Sequence, residues 1–278
     1  MRPDKLEQIA TQINELSESL VKEKDATQLP TNRIKHVRTK ISDACLKLQK
    51  IVEDLDPIKH PQFVFDPSDP NVAGRIAGIT MIAQKRNPLI NLDRFYGAGV
   101  YAIYYVGKFP AYAAISRREH PIYVGKADPA DPASKTVMEQ GYRLSNRLNE
   151  HRNNLKKAST TLRLEDFEYR ALVVQTGWQA AAEDYLIHLF KPIWNNEVGI
   201  CFGFGKHGDD PATRSNLRSP WDTLHPGRDW AHRDPNMKDA RPPKQIMDDI
   251  ARHLTKHPPF GTMEEILSRF IDEMRGVS

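Results

Sequence analysis

The sequence predicts an α+β fold in three parts: a helical arm (1–57), a small sheet flanked by helices (58–232) and a helical tail (233–278). Three observations predict it. Apolar residues recur at three- and four-residue spacing from Leu6 to Leu55. Three short runs between residues 99 and 174 are rich in β-branched and aromatic side chains. Helical spacing returns between and after those runs.

In the arm, Leu6, Ile9, Ile13, Leu16 and Leu20 form one stripe. After a break at Gln28-Leu29-Pro30-Thr31, a second stripe follows in Ile34, Val37, Ile41, Ala44, Leu48, Ile51 and Leu55. This alternation is the seam of a coiled coil or helical hairpin. Thr31 or Asn32 is placed to cap the second helix, and Asp56-Pro57 ends it. A hairpin of this size buries little by itself, so it either packs on the rest of the chain or builds an assembly.

Prolines 61, 67, 70 and 88 punctuate a loop-rich lead-in with one helix near 71–83. Strands are expected at 99–106, 121–125 and 167–174. Between the second and third, Leu144, Leu148 and Leu155 sit among Arg143, Arg147, His151, Arg152, Lys156 and Lys157, which reads as a basic amphipathic helix at 142–157. A further helix at 179–190 packs through Ala180, Ala181, Ala182 and Leu186 and stops at Lys191-Pro192. The tail holds two amphipathic helices divided by Pro258-Pro259.

Bulk properties set outer limits. With 278 residues, 39% of them hydrophobic, the chain can bury one sizeable core. The net charge of +4 permits a nucleic-acid partner without identifying one. Two distant cysteines, Cys45 and Cys201, argue against a zinc site or a disulfide framework and fit a reducing, cytoplasmic setting. No signal-peptide pattern opens the sequence, and no apolar run approaches the roughly 18 residues of a membrane span.

Singly, the polar residues of the middle region say little. In order they say more: Gly99-Val100-Tyr101, Tyr123-Val124-Gly125-Lys126, Arg147 with His151 one helical turn later, Glu183, then Pro192-x-x-Asn195. This series resembles the GIY-YIG nuclease superfamily over residues 95–196, its two tripeptides standing here as GVY and YVG. The Arg147/His151 pair and the stretch from Arg218 to Arg228 resemble the type II restriction endonuclease branch, whose known members cut CCGCGG. The resemblance implies a three-stranded antiparallel sheet, Mg²⁺-dependent hydrolysis (Mn²⁺ able to substitute), double-stranded DNA as substrate, and a homodimer or homotetramer from a restriction-modification system.

The chemistry agrees. Glu183 is the one carboxylate of the series and the natural ligand for a hard cation. Arg147 offers a guanidinium fork to phosphate oxygens. A phenol with a pKa near 10 needs help to act as a base at neutral pH, and His151 is placed to take its proton. The resemblance implies that one of Tyr101 and Tyr123, with Tyr101 preferred, activates water and that the other orients water or phosphate. Asn195 fixes geometry by hydrogen bonding. Lys126, Arg117, Arg143, Arg152, Lys206, Arg214, Arg218 and Arg228 are the expected DNA contacts, with arginines as readers of guanine. A repair or homing nuclease with the same core, or an inactive DNA-binding scaffold, are the competing readings.

Overall fold

The computed structural model describes residues 4–26, 30–58, 66–175, 177–205, 217–232 and 236–275. The chain divides into two compact units, Met1–Val64 and Phe65–Ser278.

The first unit holds α1 (Lys5–Ala26) and α2 (Thr31–Leu55). Helix α2 begins at Thr31 with Pro30 in the N-cap position; the side chains of Thr31 and Asn32, the expected caps, lie outside what the structure describes. Proline suits that boundary because its fixed φ opens a helix without needing an N–H partner. The seam stays exposed: Leu6, Ile9, Ile13, Leu16 and Leu20 on α1, and Ile34, Val37, Ile41, Ile51 and Leu55 on α2.

The second unit is built on an antiparallel sheet of four strands, not three. Its order is β1 (Asn87–Pro88), β4 (Phe167–Val173), β2 (Gly99–Tyr105), β3 (Tyr123–Ala127). The additional strand β1 is two residues long and pairs with Tyr169 and Glu168. Two residues, one of them proline, leave no alternating pattern in a sequence, and a proline is tolerated at a sheet edge. A second minor sheet pairs β5 (Leu217–Arg218) with β6 (Lys238–Asp239) in parallel.

Alternation along β2 sorts its side chains. Val100, Ala102 and Tyr104 enter one hydrophobic cluster with Ala182, Leu186 and Phe190 of α5 (Trp178–Phe190). Helix α3 (Pro70–Ile82) covers α5 closely, since a Cβ on Gly74 would lie 2.5 Å from the Ala181 carbonyl oxygen. Asp69 caps α3 by accepting the N–H of Asn71, and Pro70 starts it.

Tyr101, Ile103 and Tyr105 enter the other cluster, under Leu144, Leu148 and Leu155 of α4 (Arg143–Lys157). Its aromatic centre is Tyr112, Trp194, Phe204 and Trp221, the last on α6 (Pro220–Leu224). Trp221 Nε1 is buried there without a hydrogen-bond partner among the described residues, whereas Tyr112 and Trp194 pair with each other. The Tyr112 hydroxyl accepts from Trp194 Nε1 at 3.0 Å and bonds His225, whose Nδ1 meets Thr161 at 2.9 Å. The tail joins these same clusters: α7 (Pro243–Lys256) contributes Ile246, Ile250 and Leu254 to the α4 side, and α8 (Met263–Met274) contributes Ile266 to the α5 side. No helix among the described residues is long and apolar enough to cross a membrane.

Candidate active site

Two glycines make the strand pair possible. A Cβ on Gly99 would lie 2.0 Å from the Leu172 carbonyl oxygen of β4, and one on Gly125 would lie 2.5 Å from the Tyr101 hydroxyl oxygen. Tyr101 and Gly125 face each other in the β2–β3 register. The phenol therefore lies across the space that any other residue at 125 would fill.

Helix α4 is fastened over this pair at its first turn. Gly97 donates to the Gly141 carbonyl at 2.7 Å, Leu144 donates to the Gly97 carbonyl at 2.9 Å, and the Ser145 hydroxyl donates to the Phe95 carbonyl at 2.8 Å. Two turns on, His151 is fully buried and its Nε2 lies 2.6 Å from the Tyr101 hydroxyl oxygen. The Tyr123 ring stands edge-on to His151 at 5.1 Å and 6.2 Å from the Tyr101 ring. Phe204 closes the far side of the imidazole, stacked at 4.5 Å.

Arg147 lies one turn before His151 and is half-buried. Its Nη2 donates to the Gly205 carbonyl at 3.0 Å and its Nη1 to Glu150 at 3.0 Å. Burial pushes the Tyr101 phenol well above its ordinary pKa, with Tyr123 adding to the rise and Arg147 opposing it. Burial raises Tyr123 as well, again opposed by Arg147. At neutral pH both are neutral phenols, and Tyr101 has a proton acceptor at hydrogen-bond distance.

The outer edge of β3 carries the remaining two residues. Asn195 donates Nδ2 to the Val124 carbonyl and accepts the Val124 N–H on Oδ1, both at 2.9 Å. These groups of Val124 therefore point away from β2, and in an antiparallel ladder so do those of Lys126. Glu183 comes from α5 on the opposite face of the sheet, and its carboxyl feels both the charge and the backbone of Lys126. Burial pushes its carboxyl up to about 7, against the opposing pull of the Lys126 charge, while Glu197 and Asp184 add to the rise. A half-buried carboxyl held in a negative field fits a hard cation, which would relieve the cost of its ionisation. Among the described residues no three His, Cys, Asp or Glu side chains gather into a metal cluster. An ion here would take Glu183 plus water and phosphate oxygens, a mixed shell that Mg²⁺ accepts.

All six residues expected to carry the chemistry thus lie around the Tyr101–Gly125 contact. The expected DNA contacts divide. Arg117 and Arg143 are exposed, although Arg143 Nε donates to the Asp128 carbonyl at 2.9 Å. Arg152 bonds Asn149 and the Leu92 carbonyl, and Lys126 pairs with Asp128 at 2.6 Å. Lys206 and Arg214 lie outside the described residues.

Arg228 is a correction. It is 1% exposed and pairs through both nitrogens, Nε and Nη2, with the two oxygens of buried Asp222 at 2.7 Å each, so it presents nothing to a base. Arg218 also points inward, to the Ala231 carbonyl and Asp239, each at 3.0 Å. Sequence reasoning missed Asp222, Phe204 and Gly205. The Ser219-x-x-Asp222 capping pattern was the one available signal, and Ser219 does accept the Asp222 N–H.

Residues 93–254 match the family model described as the Eco29kI GIY-YIG domain. No curated protein matches the chain.

Proposed function

The chain belongs to the Eco29kI GIY-YIG domain family of restriction-type nucleases, and from that premise we propose that it is a type II endonuclease. It cuts both strands of a palindromic, GC-rich site resembling CCGCGG, leaving 5′-phosphate and 3′-hydroxyl ends. The observation that carries the reading is the 2.6 Å contact between Tyr101 and His151, buried beside Arg147.

In this mechanism a water molecule attacks phosphorus. Tyr101 takes the water proton as its own phenolic proton passes to His151 Nε2. Arg147 stabilises the charge that grows on the non-bridging oxygens. Tyr123 orients the water or the phosphate, and Asn195 holds β3 and both motif residues in place. Glu183 would hold Mg²⁺, for which Mn²⁺ can substitute, and the bound ion supplies Lewis-acid stabilisation to the phosphate and the departing 3′ oxygen. Arg117, Arg143, Arg152 and Lys126, with Lys206 and Arg214, contact the duplex.

A palindromic target matches a two-fold protein, and the exposed seam of α1 and α2 is an apolar surface that calls for cover. Residues 1–57 serve assembly into a homodimer or homotetramer, residues 58–232 carry out cleavage, and 233–278 form a supporting extension. The protein works in the cytoplasm beside the DNA it restricts. Removing residues 1–57 lowers the number of copies per particle, read from light scattering against the mass of the shortened chain; an unchanged copy number rejects the assembly role.

Incubation of plasmid DNA with the protein and Mg²⁺ tests the main claim. Discrete fragments whose sequenced ends share one palindrome are expected. Smears or structure-dependent nicks indicate a repair or homing type of activity instead, and binding without cutting indicates a scaffold.

A further inference from the structure

Arg228 is absent from the chemistry above, yet it is the most heavily engaged cation in the second cluster. Besides its two bonds to Asp222, its Nη2 donates to the Gly203 carbonyl at 2.8 Å and its Nη1 to the Phe204 carbonyl at 3.3 Å. The guanidinium also lies over the rings of Trp221 and Trp230, at 4.6 and 4.9 Å. Its position is therefore fixed by a carboxylate, two aromatic rings and two carbonyls. A buried ion pair gives little net stability, and well-packed apolar residues of similar volume often serve as well or better. The geometry offers another use for it.

The two carbonyls belong to the segment that touches the site. Phe204 stacks on His151 at 4.5 Å and meets the Tyr123 ring at 5.3 Å. Gly205 accepts from Arg147 Nη2 at 3.0 Å, and a Cβ on Gly205 would lie 2.5 Å from the Tyr123 hydroxyl oxygen. One short segment thus sets the imidazole plane, the guanidinium fork and the space above the second phenol.

We propose that the Asp222–Arg228 pair is a positioning device for this nuclease site, anchoring residues 203–205 so that His151, Arg147 and Tyr123 share one working geometry. The proposal rests on the nuclease reading for its effect on rate, but not for its effect on the imidazole. Displacements of about 1 Å reduce catalysis by about 100-fold, whereas DNA affinity, set mainly by phosphate contacts elsewhere, should hold.

The test is a double variant, Asp222→Leu with Arg228→Met, which removes both charges together, so no unpaired ion is buried, and frees the Gly203 and Phe204 carbonyls from their donor. Single-turnover cleavage and DNA affinity are measured separately, with the melting temperature recorded. The His151 ring-proton resonances, shifted upfield by Phe204, are followed by NMR. A folded variant is expected to bind DNA as the wild type does, cut about 100-fold more slowly, and lose the upfield shift. Wild-type cutting with an unmoved His151 resonance overturns the proposal.

Should the double variant fail to fold, Arg228→Lys answers the same question, because it keeps a charge beside Asp222 and loses the fork that spans both carbonyls. Slower cutting and a moved resonance support positioning; wild-type values for both refute it. If the wild-type protein cuts no DNA, the nuclease reading fails, and the His151 resonance alone decides whether the pair positions the imidazole.

Discussion

On one face of the main sheet Val100, Ala102 and Val124 lie beneath Ala182, Leu186 and Phe190; on the other, Tyr101 and Tyr123 meet His151, Arg147 and Phe204. The strands are the same, and only the alternation differs. The first face is held by apolar area, which tolerates swaps of similar volume. The second has its own apolar cluster and adds directional contacts, each fixing an atom. Glu183 belongs to the first face by origin, yet its charge acts on Tyr101 and Tyr123 of the second. In the proposed reaction it joins the two faces, and Gly125 is the thin point between them, where the missing Cβ leaves room for the Tyr101 hydroxyl.

Removing what joins the faces should have the largest effect. Glu183→Ala is expected to abolish cleavage while gel-shift binding to the specific duplex persists; retained activity would detach the carboxylate from the reaction. Tyr101→Phe deletes one oxygen from the directional face and should slow single-turnover cleavage by about 10²–10⁴-fold, with circular dichroism unchanged.

Gly125→Ala attacks the thin point itself. The methyl would displace the Tyr101 hydroxyl, so we expect cleavage about 100-fold slower and a loss of about 1–3 kcal/mol in urea unfolding. Val124→Ile, on the apolar face of the same strand, is the control and should leave the rate near wild type.

Asn195→Ala strips both bonds from the Val124 backbone. It should destabilise the protein by roughly 1–3 kcal/mol for each group left bare, read as a lower melting temperature, with Asn195→Asp restoring at most the contact to the Val124 N–H.

The smallest effect is a pH dependence. In the metal-free protein Glu183 holds its proton up to about 7, whereas its ordinary value is 4.5. Between these values the native state binds the extra proton, so this group's contribution to stability falls as pH rises through that window and levels off above it. Glu183→Gln should thus gain stability over wild type at pH 8 and show little difference at pH 4. An equal gap at both, measured in urea, would place the carboxyl in solvent.

The sequence made the long elements readable because periodicity and composition agree there. Helix α4 was expected at 142–157 and runs Arg143–Lys157; the third long strand was expected at 167–174 and runs Phe167–Val173. The six residues expected to carry the chemistry were readable as an ordered series, since each lies on or beside a strand or helix whose phase shows in the pattern. Strands β1, β5 and β6 were not, because two residues have no period. Arg228 was misread for a different reason. An arginine in a loop has the same local sequence whether it meets DNA or a buried aspartate, and only the fold brings Asp222 and the carbonyls of Gly203 and Phe204 around it.

The margins of the main sheet carry one more lesson. At one side Asn195 occupies the hydrogen-bonding groups of Val124; at the other, β1 ends after two residues in a proline that lacks an N–H. Both rims are thus partly blunted against a foreign strand, by Asn195 at Val124 and by β1 at Glu168 and Tyr169. Each is a poor template for strand addition, so the proposed assembly would be made by helices and loops, sparing the strands that carry Tyr101 and Tyr123.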